Sequence, residues 1–166
     1  ALELGAWDYL PKPFSASHLE VLIGRAAHAV SVARETDRFR KRAVKALHDG
    51  GARLLLGTDT AQPFVVMGFS AHQELVHFVD AGLSPYEAIR TGTANAAEFL
   101  GAKGQFGEVA EGQRADLILV AGNPLTDVKN AARIEGVMLR GQWISRGEID
   151  RMMASMVASY SDDDDR

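Results

Sequence analysis

The fold assignment depends on one stretch, Ala52-Arg53-Leu54-Leu55-Leu56-Gly57-Thr58-Asp59-Thr60. Its apolar run has the length of a strand, and apolar and polar residues do not alternate along it. This pattern is typical of a strand that is buried on both faces of a parallel sheet. Asp59 follows at the carboxyl end of this predicted strand, where α/β folds place ligands and catalytic groups. A turn or helix-capping aspartate fits the same position equally well, so the spacing leaves both roles open.

Helical patterns flank this segment on both sides. Apolar residues from Leu19 to Ala33 recur at spacings of three and four, and no proline interrupts residues 16–49, which predicts a long helix that stops at Gly50–Gly51. We expect that helix either to break near Glu35–Arg38 or to project and pack against a partner. Shorter helices are predicted after Ser70 and after Ser84, each with its serine as N-cap, then over Thr93–Leu100 and from Glu148 to Tyr160.

Short strands are predicted in the last third of the chain, at Gly107–Ala110, Ala115–Ala121 and Gly136–Trp143, because turn-rich segments separate them. The expected fold class is therefore α/β in the mixed α+β sense, with a long N-terminal helix, one buried strand with helices, and a small sheet or sandwich. We divide the chain into residues 1–37, 38–104, 105–147 and 148–166, the last being a helix with an acidic tail.

Composition excludes several classes of protein. The 166 residues are 46% hydrophobic and 24% charged, which excludes disorder and collagen-like repeats, and the net charge of −4 argues against nucleic-acid binding. The absence of cysteine removes disulfides, thiolate metal sites and cysteine nucleophiles, and it favours a reducing compartment, the cytoplasm. No apolar run is long enough to span a membrane, and no secretory leader is visible at Ala1, where we expect a trimmed start or a fragment boundary.

Histidine supplies the remaining candidates for metal binding. The five histidines form neither a His-x-His pair nor a His-Glu-x-x-His motif, and each is first interpreted as a surface or partly buried helix residue. His72 and His77 lie five positions apart on one predicted helix, about 140° around its axis, so this pair is a poor metal site. The five are His18, His28, His48, His72 and His77.

Two family resemblances meet within the long helix. The run Gly5-Ala6-Trp7-Asp8-Tyr9-Leu10-Pro11-Lys12-Pro13-Phe14, with the helix up to about residue 30, resembles the last quarter of a response-regulator receiver domain. The resemblance implies that Lys12 matches the lysine that contacts the phosphorylated aspartate region in that family. The acidic pocket and the phosphoacceptor belong to earlier strands that are absent here, so phosphotransfer does not carry over.

Residues 38–146 resemble the carboxyl-terminal part of the amidohydrolase superfamily, in its imidazolonepropionase- and prolidase-like branch. The resemblance implies that Leu54–Asp59 is the eighth strand of a (β/α)8 barrel, here an incomplete remnant. It also implies that Asp59 is the metal-binding general base, and that residues 107–146 belong to a small β-sandwich. The matching stretches are 44–51, 54–60, 68–75, Gly82-Leu83-Ser84-Pro85, 88–90, 93–97 and Gly112-Gln113-Arg114-Ala115-Asp116-Leu117-Ile118-Leu119 with Asn123-Pro124-Leu125.

The other metal ligands of that family lie in the first three-quarters of the barrel, which this sequence does not contain. One carboxylate cannot hold a catalytic zinc, which needs about three protein ligands and a water. The chain is thus interpreted as a junction of two family remnants. A lone barrel strand would expose backbone groups, so we expect Leu54–Gly57 to pair either with strands in residues 107–143 or across a homo-oligomer.

Two functions follow as hypotheses. The first is a metal-dependent hydrolase of an amide, lactone or ester, whose site is rebuilt by self-association. Asp59 would be its catalytic residue, Asp59 and His72 would bind a divalent metal such as zinc, and its substrate would be a small molecule. The second is a non-catalytic assembly or binding module, in which Asp59 is dispensable. A phosphorylation-responsive signalling role is the weakest of the three interpretations, because no phosphoacceptor pocket exists.

Overall fold

The computed structural model describes residues 16–59, 66 and 68–161 of the chain. The first helix, α1, runs without interruption from Ala16 to Asp49, so the alternative of a break near Glu35–Arg38 is wrong. An ion pair between Lys41 and Asp37, 3.0 Å long and one turn apart, lies in the polar stretch where that break was expected. The receiver-like run Gly5–Phe14, with Lys12, lies outside the described residues.

The chain divides into two compact units, Ala1–Ala43 and Val44–Arg166. In the first unit, the described residues belong to α1, and several of its large apolar side chains, among them Val21 and Ile23, are exposed. The second unit begins with the last turn and a half of α1. The proposed division into four segments stays a prediction.

Three helices follow in the second unit: α2 (Phe69–Asp80), α3 (Pro85–Thr91) and α4 (Ala94–Phe99). The predicted cap of α3 is confirmed, because Ser84 accepts a hydrogen bond from the Glu87 amide and Glu87 accepts one from the Ser84 amide, a complete capping box. The predicted cap of α2 is wrong. Gly68 occupies its N-cap with a φ of 78°, and Ser70 lies inside the first turn and accepts from the Val66 amide.

The core of the second unit lies between α2, α3 and a 3₁₀ helix, Val128–Ala132. Helix α2 packs against both α3 and the 3₁₀ helix, and its buried Leu75 and Phe78 lie three positions apart, on one side of the helix. Leu54 and Leu56 pack on the edge of this cluster. Its buried members are Leu75, Phe78, Leu83, Ala88, Val128 and Ala131.

A three-stranded antiparallel sheet follows, in the order β1 (Leu117–Val120), β2 (Ile134–Leu139) and β3 (Gln142–Ser145). The predicted strand within 115–121 is confirmed, whereas 107–110 is wrong because it forms no strand. The single strand predicted over 136–143 is a hairpin instead. Arg140 and Gly141 have φ values of 50° and 82°, which makes the tight turn that a two-residue hairpin requires.

The last helix, α5, extends from Arg146 to Ser161 and agrees with the prediction for this region. Its first turn is capped by Ser145, whose amide and hydroxyl both donate to Glu148. Within the described residues, no helix is both long enough and apolar enough to cross a membrane.

Candidate functional site

The segment that carries Asp59 begins where α1 ends. The turn after α1 is closed by hydrogen bonds from the Gly51 amide to the His48 carbonyl and from the Ala52 amide to the Leu47 carbonyl, and Gly51 has a φ of 82°. Glycine fits this position because a left-handed residue ends a helix without a steric penalty. Residues 52–59 then continue with no regular secondary structure.

The prediction that Leu54–Gly57 is a strand is wrong for the described chain. The sheet consists of β1, β2 and β3, so the segment does not pair with residues 107–143, and one of the two expected pairings is excluded within the described residues. The physical reason is that an apolar run forms a buried strand only beside neighbouring strands, and no described strand lies next to it. Pairing across a homo-oligomer stays a prediction.

Hydrogen bonds to three helical elements hold the segment instead. The Asn95 side-chain amide donates to the Leu54 carbonyl at 3.2 Å, and the Leu56 amide donates to the Thr91 carbonyl at 3.2 Å. Gly92 gives Leu56 the room to approach, since a Cβ at residue 92 would lie 2.9 Å from the Leu56 Cδ2. These contacts fix the amino end and the middle of the segment on α3 and α4.

Glu74 of α2 holds the other end. Its Oε1 accepts a hydrogen bond from the Gly57 amide at 3.2 Å, two residues before Asp59. Its Oε2 is buried and has no hydrogen-bond partner among the described residues. A buried carboxylate oxygen without a donor is costly, so this atom marks a place where a further donor would be favourable. Sequence reasoning missed Glu74 because only the tertiary fold brings it to Gly57.

Asp59 itself is exposed and has a φ of 49°. This left-handed conformation is uncommon for residues other than glycine, although aspartate and asparagine adopt it more readily than most. Asp59 is the last described residue of this segment, and its side chain is exposed. Asp59 thus lies at a surface that is accessible to a ligand or a second chain.

His72 lies in the first half of α2, on an element separate from the Asp59 segment. Its ring is half-buried, and its Nδ1 is buried without a hydrogen-bond partner among the described residues. An orphaned ring nitrogen suits a metal ligand. However, within the described residues no three histidine, aspartate or glutamate side chains come together as a metal site. The donor set of one chain therefore does not fit a catalytic zinc, which needs about three protein ligands.

A cavity of about 400 Å³, lined by both charged and apolar side chains, lies at the opposite, amino end of the segment. His48 Nε2 lies 3.1 Å from Glu87 Oε1, and Arg53 pairs with Glu98 at 3.0 Å. Hydrogen bonds from the Ser84 hydroxyl and amide are the main cause that lowers the pKa of Glu87 to about 2. These groups are already paired with one another. The fold therefore accounts for the charged side chains His48, Arg53, Glu87 and Glu98 at this cavity.

The comparisons with known proteins agree with the carboxyl-terminal resemblance. The model of the amidohydrolase family matches residues 17–144, most of the chain. The chain belongs to the amidohydrolase family. This finding confirms the amidohydrolase resemblance. The receiver-like interpretation of residues 1–30 stays a prediction, and the family match already begins within the long helix.

An ochratoxinase from Aspergillus niger is 40% identical over 81 residues, which are 48% of this chain and 16% of that protein. The solved structure of a bottromycin amidohydrolase is 34% identical with a TM-score of 0.62, over 74% of this chain and 26% of that one. A Xaa-Pro dipeptidase with bound methionine is 26% identical with a TM-score of 0.58, over 63% and 25%. The chain thus spans about a quarter or less of each of these relatives.

Proposed function

We propose that this chain provides the Asp59 carboxylate of a metal-dependent hydrolase site of the amidohydrolase type, and that association with a second copy completes this site. The substrate class is a small molecule with an amide, lactone or ester bond, and the compartment is the cytoplasm. Family membership and the hydrolytic relatives support the reaction class. The observation that carries the proposal is the exposed side chain of Asp59, two residues after the amide of Gly57 that Glu74 anchors.

In this proposal Asp59 acts as a general base. An ionised carboxylate within hydrogen-bond distance of a water accepts its proton as the oxygen attacks the substrate carbonyl. The anchor from Glu74 to Gly57 supports this role, because it limits the movement of the backbone that carries the base. His72, with its unpartnered Nδ1, is the proposed second ligand for a divalent metal such as zinc.

Self-association is part of the proposal because the ligand set of one chain is incomplete. Two copies can combine carboxylates and imidazoles that a single chain keeps apart, and a closed two-fold pair would contain each such site twice. Residues 52–59 form no strand ladder within the described chain. A second copy that pairs with this segment would supply the missing strand partner, which also supports self-association.

The test combines native mass spectrometry with elemental analysis after purification in zinc, manganese and iron. We expect an oligomer with a stoichiometric metal that Asp59→Asn loses. Asp37→Asn is the matched control, since Asp37 is an exposed aspartate on α1, and it should keep the metal. Metal-free protein from metal-replete cultures would contradict the hydrolase proposal.

The second candidate is a non-catalytic assembly or binding module. The observation that favours it is that no three-ligand cluster occurs within the described residues. Under this alternative, Asp59→Asn leaves both association and metal content unchanged, whereas the hydrolase proposal requires the metal to be lost. The same mass-spectrometric measurement therefore distinguishes the two candidates.

A further inference from the structure

Three of the five methionines of the chain lie within five residues of α5. They are Met152, Met153 and Met156, and their exposed fractions are 59%, 39% and 55%. Ile149 precedes them by three, four and seven positions, so the four side chains lie on one side of the helix. A small solute in water can therefore reach this group of methionines, which we call the methionine cluster.

The methionine cluster also takes part in the contact between α5 and the small sheet. Helix α5 packs on both β2 and β3. All three methionines line an apolar groove together with Ile134 and Val137 of β2, Ile144 of β3 and Ile149 of α5. These isoleucine and valine side chains are half-buried. The methionines are thus accessible to solvent and, at the same time, adjoin the apolar surface that holds the helix on the sheet.

A thioether with these two properties responds to peroxides. A peroxide transfers one oxygen atom to the methionine sulfur, its O–O bond breaks, and water or an alcohol leaves. The sulfur is oxidised and the peroxide is reduced, each by two electrons. The product is methionine sulfoxide, which is polar and chiral. Its oxygen is costly to keep against an apolar wall without a hydrogen-bond donor, so oxidation in the groove disfavours the packed position of the side chain.

We propose that the methionine cluster of α5 is a modification site for peroxides, at which oxidation weakens the packing of α5 on the sheet. Methionine sulfoxide reductases reverse the modification, so the site can act as a switch. This inference goes beyond the hydrolase proposal, because it uses no residue of the segment 52–59 and requires no metal. Asp59→Asn should therefore leave the oxidation unchanged, whatever the outcome of the metal test.

Peptide mapping of the full chain after treatment with hydrogen peroxide tests the selectivity. Trypsin cleaves after Arg133, Arg140 and Arg151, so that peptide 152–166 contains the methionine cluster and peptide 134–140 contains Met138 alone. Met138 lies in β2 and is half-buried, which makes it the internal control. The mean oxidation rate per methionine of the cluster should exceed that of Met138 by about 3-fold or more. Equal rates, or faster oxidation of Met138, would overturn the proposal.

Amide hydrogen exchange tests the structural consequence. Oxidation of the wild-type chain should speed up exchange in residues 149–159 by about 3-fold or more, and it should leave α3 nearly unchanged. A variant with leucine at all three positions, Met152→Leu, Met153→Leu and Met156→Leu, keeps an apolar surface but has no thioether there. Its exchange should not respond to peroxide.

Treatment of the oxidised wild-type chain with sulfoxide reductases gives a readout that needs no variant, because it should restore the original exchange rates. Unchanged exchange after oxidation of the cluster would overturn the proposal. The same conclusion would follow from equal acceleration in the leucine variant, or from exchange that stays fast after the sulfoxides are reduced.

Discussion

Replacing Asp59 by asparagine and by alanine separates the role of its carboxylate from the conformation of its backbone. Asp59 has a φ of 49°, in the left-handed region, where a Cβ approaches the following carbonyl oxygen. That conformation costs roughly 1–2 kcal/mol for most residues, and asparagine and aspartate offset part of the cost by local hydrogen bonding. We therefore expect Asp59→Asn to be nearly neutral for stability and Asp59→Ala to lower the free energy of unfolding by about 1 kcal/mol.

Urea denaturation and calorimetry measure this difference. For a chain of this size, about 1 kcal/mol corresponds to a fall in Tm of about 2–4 °C. Both variants lack the carboxylate, so both should lose the metal of the proposed site, whereas only the alanine variant should lose stability. An alanine variant as stable as the asparagine variant would refute the argument from the backbone conformation.

Three further predictions concern the anchor, the sheet and the pH dependence of stability. Glu74→Ala should raise the amide exchange rate of Gly57 about 10-fold, as expected for the loss of a hydrogen bond of about 1.4 kcal/mol. Glu74→Gln keeps an acceptor oxygen and should leave the exchange rate nearly unchanged. Unchanged exchange in both variants would contradict the anchor. Gly136→Ala should lower the free energy of unfolding in urea by about 1–3 kcal/mol, because the new Cβ would lie 2.2 Å from the Trp143 ring; a neutral result would argue against this packing. Glu87 has a pKa lowered from 4.5 to about 2, so its contribution to stability is complete above pH 4.5 and is lost as the pH falls toward 2. The free energy of unfolding of Glu87→Gln should lack this part of the pH dependence. Identical slopes of the free energy of unfolding against pH for the two proteins would contradict it.

The helices of this chain are predictable from sequence because their signals are local. The Ser84 cap with Glu87 three residues later, and the spacing of apolar residues in α5, each depend on neighbours within one or two turns. The apolar run 54–57 is different. It has the composition of a barrel strand, yet strand formation depends on hydrogen-bond partners far away in sequence, and the described chain offers none beside it.

The candidate site was predictable only in part, for the same reason. Position after an apolar run is enough to single out Asp59. The anchor from Glu74 joins residues 17 positions apart and follows no local pattern, so only the folded chain reveals it. The proposed role of His72 beside Asp59 stays a prediction, because its remaining partners would come from another molecule.

The contact between Trp143 and Gly136 makes the small sheet visible to fluorescence. The indole is 48% exposed and covers the space that a side chain at residue 136 would fill, on the strand pair β2 and β3. The sequence has two tryptophans, so a Trp7→Phe variant would leave Trp143 as the single reporter. Its emission would then follow the melting of this hairpin separately from the helices, whose loss circular dichroism records.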